Sequence, residues 1–179
     1  MVDPVTMRRT GFRLLFLAMA ALVIFVRILP FRIGTAPVPA PELLTLTTFA
    51  WVIRRPEYAP VALIALVHLT ADILFMRPLG LWTILVVLGC EYLRKHSNIP
   101  SELPFPVEWV MVTMTLATMI AAGMLVQAVL LVPQPSIGAN ALQLIVSAAA
   151  YPIVVVVTAF GLGVRPAGVA ERDAERKRA

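Results

Sequence analysis

A histidine and an aspartate one helical turn apart are the residues of this chain best placed to do chemistry. His68 and Asp72 lie in an otherwise apolar stretch, and residues four apart share one face of a helix, so we expect an imidazole–carboxyl hydrogen bond. Ionisable groups in a membrane helix often form proton relays or ligand sites. The alternative, which the position of Asp72 near Arg77 favours, is a polar contact between helices that fixes their packing.

Other groups that could support catalysis are scattered along the chain. The two histidines, His68 and His96, lie on different segments, and the single cysteine, Cys90, cannot form an internal disulfide. We expect Cys90 to be a small packing residue. The sequence contains no nucleotide-binding glycine loop, no His-Glu-x-x-His motif and no paired-aspartate metal motif. It therefore predicts a protein without catalytic residues, metal site or cofactor.

The elements that carry these residues have the composition of a membrane protein. Of 179 residues, 60% are apolar and 14% are charged, and the mean hydropathy is +0.88, whereas soluble domains are about 45–50% apolar and about 25% charged. A soluble globule of this composition would lack the polar surface to cover its exterior. The net charge of +5 fits cytoplasmic loops that contact anionic membrane lipids better than it fits nucleic-acid binding.

Six apolar runs are candidate transmembrane helices of an all-α membrane protein. A helix needs about 17–25 residues to cross the hydrocarbon core. The second and fourth runs are short: even extended to residues 42–55 and 79–94 they reach only about 21 and 24 Å. The second run either spans a thinned bilayer or is re-entrant. The six runs cover residues 12–29, 43–53, 60–76, 79–93, 107–132 and 139–163.

Basic residues predict the orientation of these runs. With six spans and a cytoplasmic N-terminus, twelve Lys and Arg lie inside and three outside, and a five-span alternative also leaves the C-terminus inside. We predict a cytoplasmic tail over 1–11, a six-helix domain over 12–164 and a basic, disordered cytoplasmic tail over 165–179. A cleaved signal peptide is the alternative for the first run, but proline follows each small-residue site.

Several polar and helix-breaking residues have expected structural roles. Glu42, beside Arg27 and Arg32, is expected to form salt bridges at the rim of the bundle, as are Glu91 and Glu108 beside Arg94 and Lys95. Pro152 is expected to kink the sixth helix and to leave the carbonyl of Ala148 for a neighbouring donor. The Trp and Tyr side chains are expected to form interfacial belts. They are Trp51, Trp82, Trp109, Tyr58, Tyr92 and Tyr151.

Two stretches resemble MreD, the rod shape-determining membrane protein family. Residues 39–46 running into 50–56 are proline-flanked, leucine-rich and end in Arg54-Arg55-Pro56, similar to the second segment of that family. Residues 69–81 place Asp72 before a Pro78-Leu79-Gly80 turn, which is the more specific likeness. Phe75, Met76 and Arg77 stand where the family commonly has small residues.

The resemblance implies a non-enzymatic subunit of the cell-elongation complex in the bacterial inner membrane. It implies binding to an MreC-like single-span protein, and an indirect link from MreB filaments to RodA and its transpeptidase partner. The family also resembles the S components of energy-coupling-factor transporters, so a small-molecule-binding transporter subunit is the alternative. The candidate residues for structural or partner contacts are His68, Asp72, Pro78, Leu79, Gly80 and Pro152.

Overall fold

The computed structural model describes residues 4–29, 39–97 and 104–161, and these ranges contain six α-helices and no strand. All-helical architecture is therefore confirmed for the described residues. Three helical segments are long and apolar enough to cross a membrane: Arg9–Ile28, Phe105–Val129 and Ile137–Ala159. The helices are α1 (Pro4–Ile28), α2 (Leu43–Arg54), α3 (Val61–Leu74), α4 (Leu81–Ser97), α5 (Phe105–Val129) and α6 (Ile137–Val156), the last continuing into a π-helical turn, Val157–Gly161.

Helix α2 is the centre of the bundle. Ten of its 12 residues are buried, so it has almost no face left for lipid, and it packs against α1, α4 and α6. At 1.5 Å per residue it is about 18 Å long. Because protein surrounds it, its length need not match the hydrocarbon thickness, which explains how so short a run is stable as one uninterrupted helix.

Helix α1 packs on this centre through one stripe of residues. Phe16, Ala20 and Ile24, spaced four apart, are buried while most of the helix is exposed, as expected for a helix that meets protein on one side. The ring of Phe16 lies 5.4 Å from that of Trp51, and Phe12 stacks on Tyr58 at 4.4 Å. Residues 4–11, predicted as part of a tail, belong to this helix, and the predicted tail over 165–179 lies outside the described residues.

Helices α3 and α4 pack against each other as a hairpin closed by the Pro78-Leu79-Gly80 turn. Helix α3 has 14 residues, or about 21 Å, so this third segment is shorter than the sequence predicts. It ends early because Met76 adopts a left-handed conformation, with φ of 55°, and closes the helix. Gly80 follows with φ of +79°, a conformation that glycine adopts without strain.

The belt prediction is wrong for half of the aromatic residues. Trp51 and Tyr151 have no exposed surface and Tyr58 is also buried. Trp51 lies on the enclosed helix α2, and Tyr151 faces the interior because its hydroxyl has a buried partner on α5. Cys90 is buried, which confirms its packing role.

Candidate functional site

Asp72 is fully buried and holds the start of the next helix. Its Oδ2 accepts hydrogen bonds from the Gly80 N–H at 3.2 Å, the Thr83 N–H at 3.2 Å and the Thr83 hydroxyl at 2.8 Å. The first N–H groups of a helix have no partner within the helix, and a carboxyl oxygen commonly caps them from the N-cap position. Here the cap comes from the preceding helix, so Asp72 joins α3, the Pro78-Leu79-Gly80 turn and α4.

The predicted hydrogen bond between His68 and Asp72 is wrong. The Thr48 hydroxyl donates to the Leu44 carbonyl at 2.8 Å and lies 3.1 Å from His68 Nε2. Since its one proton is engaged, that hydroxyl must accept from Nε2–H, and Nδ1 is then an acceptor. His68 Nδ1 and Asp72 Oδ1 have no hydrogen-bond partner in the described part of the chain.

Glu42 is the centre of a buried ion cluster. It is 2% exposed and accepts hydrogen bonds from Arg27 at 3.1 and 3.2 Å, from Arg77 at 2.6 Å and from the Gln143 amide at 2.6 Å. Its own N–H donates to the Ser147 hydroxyl at 3.0 Å. The predicted Arg27 pair is therefore present: its carboxylate is buried, whereas the Arg27 side chain is 25% exposed. Arg32 lies outside the described residues.

The cluster ties four helices together at one end of the bundle. Arg27 comes from the end of α1, Arg77 from the turn after α3, Gln143 from α6, and Glu42 immediately precedes α2. Burial raises the pKa of Glu42, but the Arg77 and Arg27 guanidiniums outweigh burial, so the pKa lies below its usual value. We call this part of the molecule the Glu42 end.

A cavity of about 270 Å³ opens at the Glu42 end. Arg27, Glu42 and Arg77 are the charged residues of its lining in the described part of the chain. Amide side chains and apolar residues complete the wall: Gln127, Gln134, Asn140, Gln143, Leu81, Trp82, Ile120 and Met124, with Pro78, Gly123 and Pro135.

A second buried ion cluster lies at the opposite end of α2. Arg54 pairs with Glu108 at 3.0 Å, and the Tyr151 hydroxyl donates to the same carboxylate. Glu108 is therefore not paired with Arg94 or Lys95 as predicted, because the bundle brings α2 rather than α4 to its carboxylate. Arg94 instead pairs with Glu91, three residues earlier on α4, as the sequence predicts.

Pro152 lies inside α6, where its ring removes a hydrogen bond to the Ala148 carbonyl. The Trp109 indole N–H donates to that carbonyl at 2.9 Å, which confirms that a neighbouring donor meets it. The sequence did not identify this donor, because Trp109 and Ala148 are 39 positions apart and a local pattern does not show that α5 contacts α6.

The structure separates the candidate residues into distinct places. His68 and Asp72 are buried on α3, Leu79 is 70% exposed at the tip of the hairpin, Pro78 lines the cavity and Pro152 lies on α6. In the described ranges, no three His, Cys, Asp or Glu side chains are grouped as metal ligands.

The sequence missed the grouping of Arg27, Glu42, Arg77 and Gln143. Its one available signal was the presence of a carboxylate and two arginines at the predicted outer ends of apolar runs, which did not specify that all three meet. The chain matches no protein-family model, no curated protein and no solved structure.

Proposed function

We propose that this chain is a non-enzymatic membrane subunit of the bacterial cell-elongation complex in the inner membrane. In this role it binds an MreC-like single-span protein and helps to couple MreB filaments to RodA and its transpeptidase partner. The observation that carries the proposal is the Asp72 cap on the Pro78-Leu79-Gly80 turn. The most specific part of the MreD resemblance coincides with a buried, three-donor contact that fixes a helical hairpin.

The hairpin offers an apolar surface suited to a partner helix. Met76 and Leu79 are 92% and 70% exposed at its tip, and the Asp72 cap fixes the backbone beneath them. A rigid support lowers the conformational entropy lost when a partner binds. The Glu42 and Glu108 carboxylates are both paired with arginines of the same chain, which suits a scaffold for other proteins.

Depletion in the native cell tests the proposal. Loss of the protein should make rod-shaped cells round, and the tagged chain should co-purify with the MreC-like protein. Leu79→Ser should reduce this co-purification, while Leu131→Ser, at another exposed turn at the same end of the bundle, should not. Normal cell shape after depletion would contradict the proposal.

A small-molecule-binding transporter subunit is the second candidate, and the cavity at the Glu42 end favours it. Ligand sites are concave and combine apolar walls with a few convergent polar groups. If depletion leaves cell shape normal and abolishes uptake of a vitamin, this candidate replaces the first.

A further inference from the structure

The cavity at the Glu42 end has an unbalanced positive charge. Two guanidiniums face one carboxylate, so the formal charge of its lining in the described part of the chain is +1. The low pKa of Glu42 keeps the carboxylate ionised at neutral pH, and arginine does not lose its proton in proteins. A partly buried charge of this kind is stabilised by a counter-ion, because solvation by water is reduced there.

The two arginines retain donors for such a counter-ion. Each guanidinium carries five N–H groups, and Glu42 engages two from Arg27 and one from Arg77. Both guanidiniums are also positioned by the ring of Phe75, at 4.7 Å from Arg27 and 5.5 Å from Arg77. Paired guanidiniums held in a fixed geometry are typical of sites that bind carboxylate or phosphate oxygens.

The size and the walls of the cavity restrict the ligand further. At about 30 Å³ per water, 270 Å³ holds roughly nine waters, enough for a small anionic group with its immediate substituent. The Gln127 amide offers neutral hydrogen bonds, whereas the Asn140 amide already donates to the Pro135 and Ser136 carbonyls. Leu81, Ile120 and Met124 form an apolar side. The cavity lies where helices begin and end, the depth at which lipid headgroups meet a membrane protein.

We propose that the cavity lined by Arg27, Arg77 and Gln127 binds a phosphate-bearing anion, either the headgroup of an anionic phospholipid or a free phosphate. The two guanidiniums hold the phosphate oxygens, and the Gln127 amide completes the hydrogen bonding. In the lipid case the apolar side contacts the first part of the attached chains. The proposal does not depend on the role in cell elongation.

Gln127 allows the charge of the cavity to be changed without disturbing the ion cluster. It is a partly exposed lining residue on α5 and is not among the donors to Glu42. Gln127→Glu makes the lining neutral and Gln127→Lys raises it to +2. Arg13→Gln, which removes an exposed arginine that bonds to the Glu57 carbonyl, is the matched control.

The test uses the purified full chain in an uncharged detergent. Thermal unfolding is titrated with inorganic phosphate and, separately, with short-chain phosphatidylglycerol, with potassium chloride at equal ionic strength as the salt control. We expect a saturable rise in the unfolding midpoint. The apparent Kd should increase about tenfold in Gln127→Glu, equal to about 1.4 kcal/mol, decrease in Gln127→Lys and stay unchanged in Arg13→Gln.

The ligands distinguish the two sources of phosphate. Stabilisation by phosphatidylglycerol alone assigns the cavity to a lipid headgroup, and equal stabilisation by inorganic phosphate assigns it to a free anion. The proposal is overturned if neither ligand exceeds the effect of potassium chloride, or if both Gln127 variants keep the affinity of the original chain. Cell-shape experiments are unaffected by either result, so the proposed function stands or fails separately.

Discussion

Replacing Asp72 with alanine should destabilise the α3–α4 hairpin. The substitution removes the acceptor of three hydrogen bonds, two from the Gly80 and Thr83 N–H groups and one from the Thr83 hydroxyl. The Thr83 donors are buried, so water does not readily replace the carboxyl oxygen. Asp72→Asn keeps an oxygen that can accept from the same donors, and it should therefore be much milder.

The expected loss of unfolding free energy follows from these contacts. Loss of a helix cap costs about 0.5–2 kcal/mol, and a buried donor left without a partner costs about 1–3 kcal/mol. The Thr83 hydroxyl can rotate to another acceptor, so we count chiefly the two N–H groups. The expected loss is about 3 kcal/mol for Asp72→Ala, roughly a hundredfold in the unfolding equilibrium, and about 1 kcal/mol for Asp72→Asn.

Reversible unfolding in mixed detergent micelles measures these differences, with hydrogen exchange at the start of α4 as a local readout. Thr70→Ala is the control, since its hydroxyl only returns a bond to the Leu66 carbonyl on the same helix. A double-mutant cycle with Thr83→Val should show coupling, because that hydroxyl bonds to Asp72. A loss below about 0.5 kcal/mol in Asp72→Ala would refute the capping argument.

Three other predictions concern different parts of the bundle. The folded-state pKa of Glu42 lies below its unfolded value of about 4.3. Its ion cluster should therefore stabilise the protein above that value and lose this contribution as the pH falls through the folded pKa. Unfolding midpoints measured between about pH 6 and 3 should show this loss of stability, and Glu42→Gln should lack this pH dependence. A Cβ at Gly89 would meet Met119 at 3.0 Å and Phe49 and Thr115 at 3.2 Å. Gly89→Leu should therefore cost about 1–3 kcal/mol of stability by overpacking in the same unfolding assay. Gly11→Ala, where a Cβ meets nothing within 4 Å, should not destabilise the chain. Met76→Gly should raise the free energy of unfolding by about 1 kcal/mol, because Met76 is exposed with φ of 55° and glycine relieves that strain; no gain would contradict the strain argument.

The predicted helix starts agree with the structure where a proline or a helix-capping residue precedes the apolar run. Pro60 precedes α3, and Ser136 caps α6 by accepting from the Ala139 N–H at 3.2 Å, so these starts follow from local chemistry. The end of α3 was less predictable, since Phe75 and Met76 look like a continuation of the apolar run. The left-handed turn at Met76 is selected by the hairpin that it closes, which a local pattern does not contain.

The sequence by itself determined that this is an all-helical chain of membrane composition with few charges in its apolar runs, because composition and the lengths of those runs decide how polar groups are distributed. It also identified Asp72, the Pro78-Leu79-Gly80 turn and the Ala148 carbonyl as special positions. Only the tertiary structure decided which groups bond to these positions and which charged side chains pair with each other. Glu42 bonds to Arg77 across 35 residues and to Gln143 across 101, and Arg54 bonds to Glu108 across 54. A buried charge needs a partner, and the packing of the helices decides which side chain lies near enough, wherever it stands in the chain.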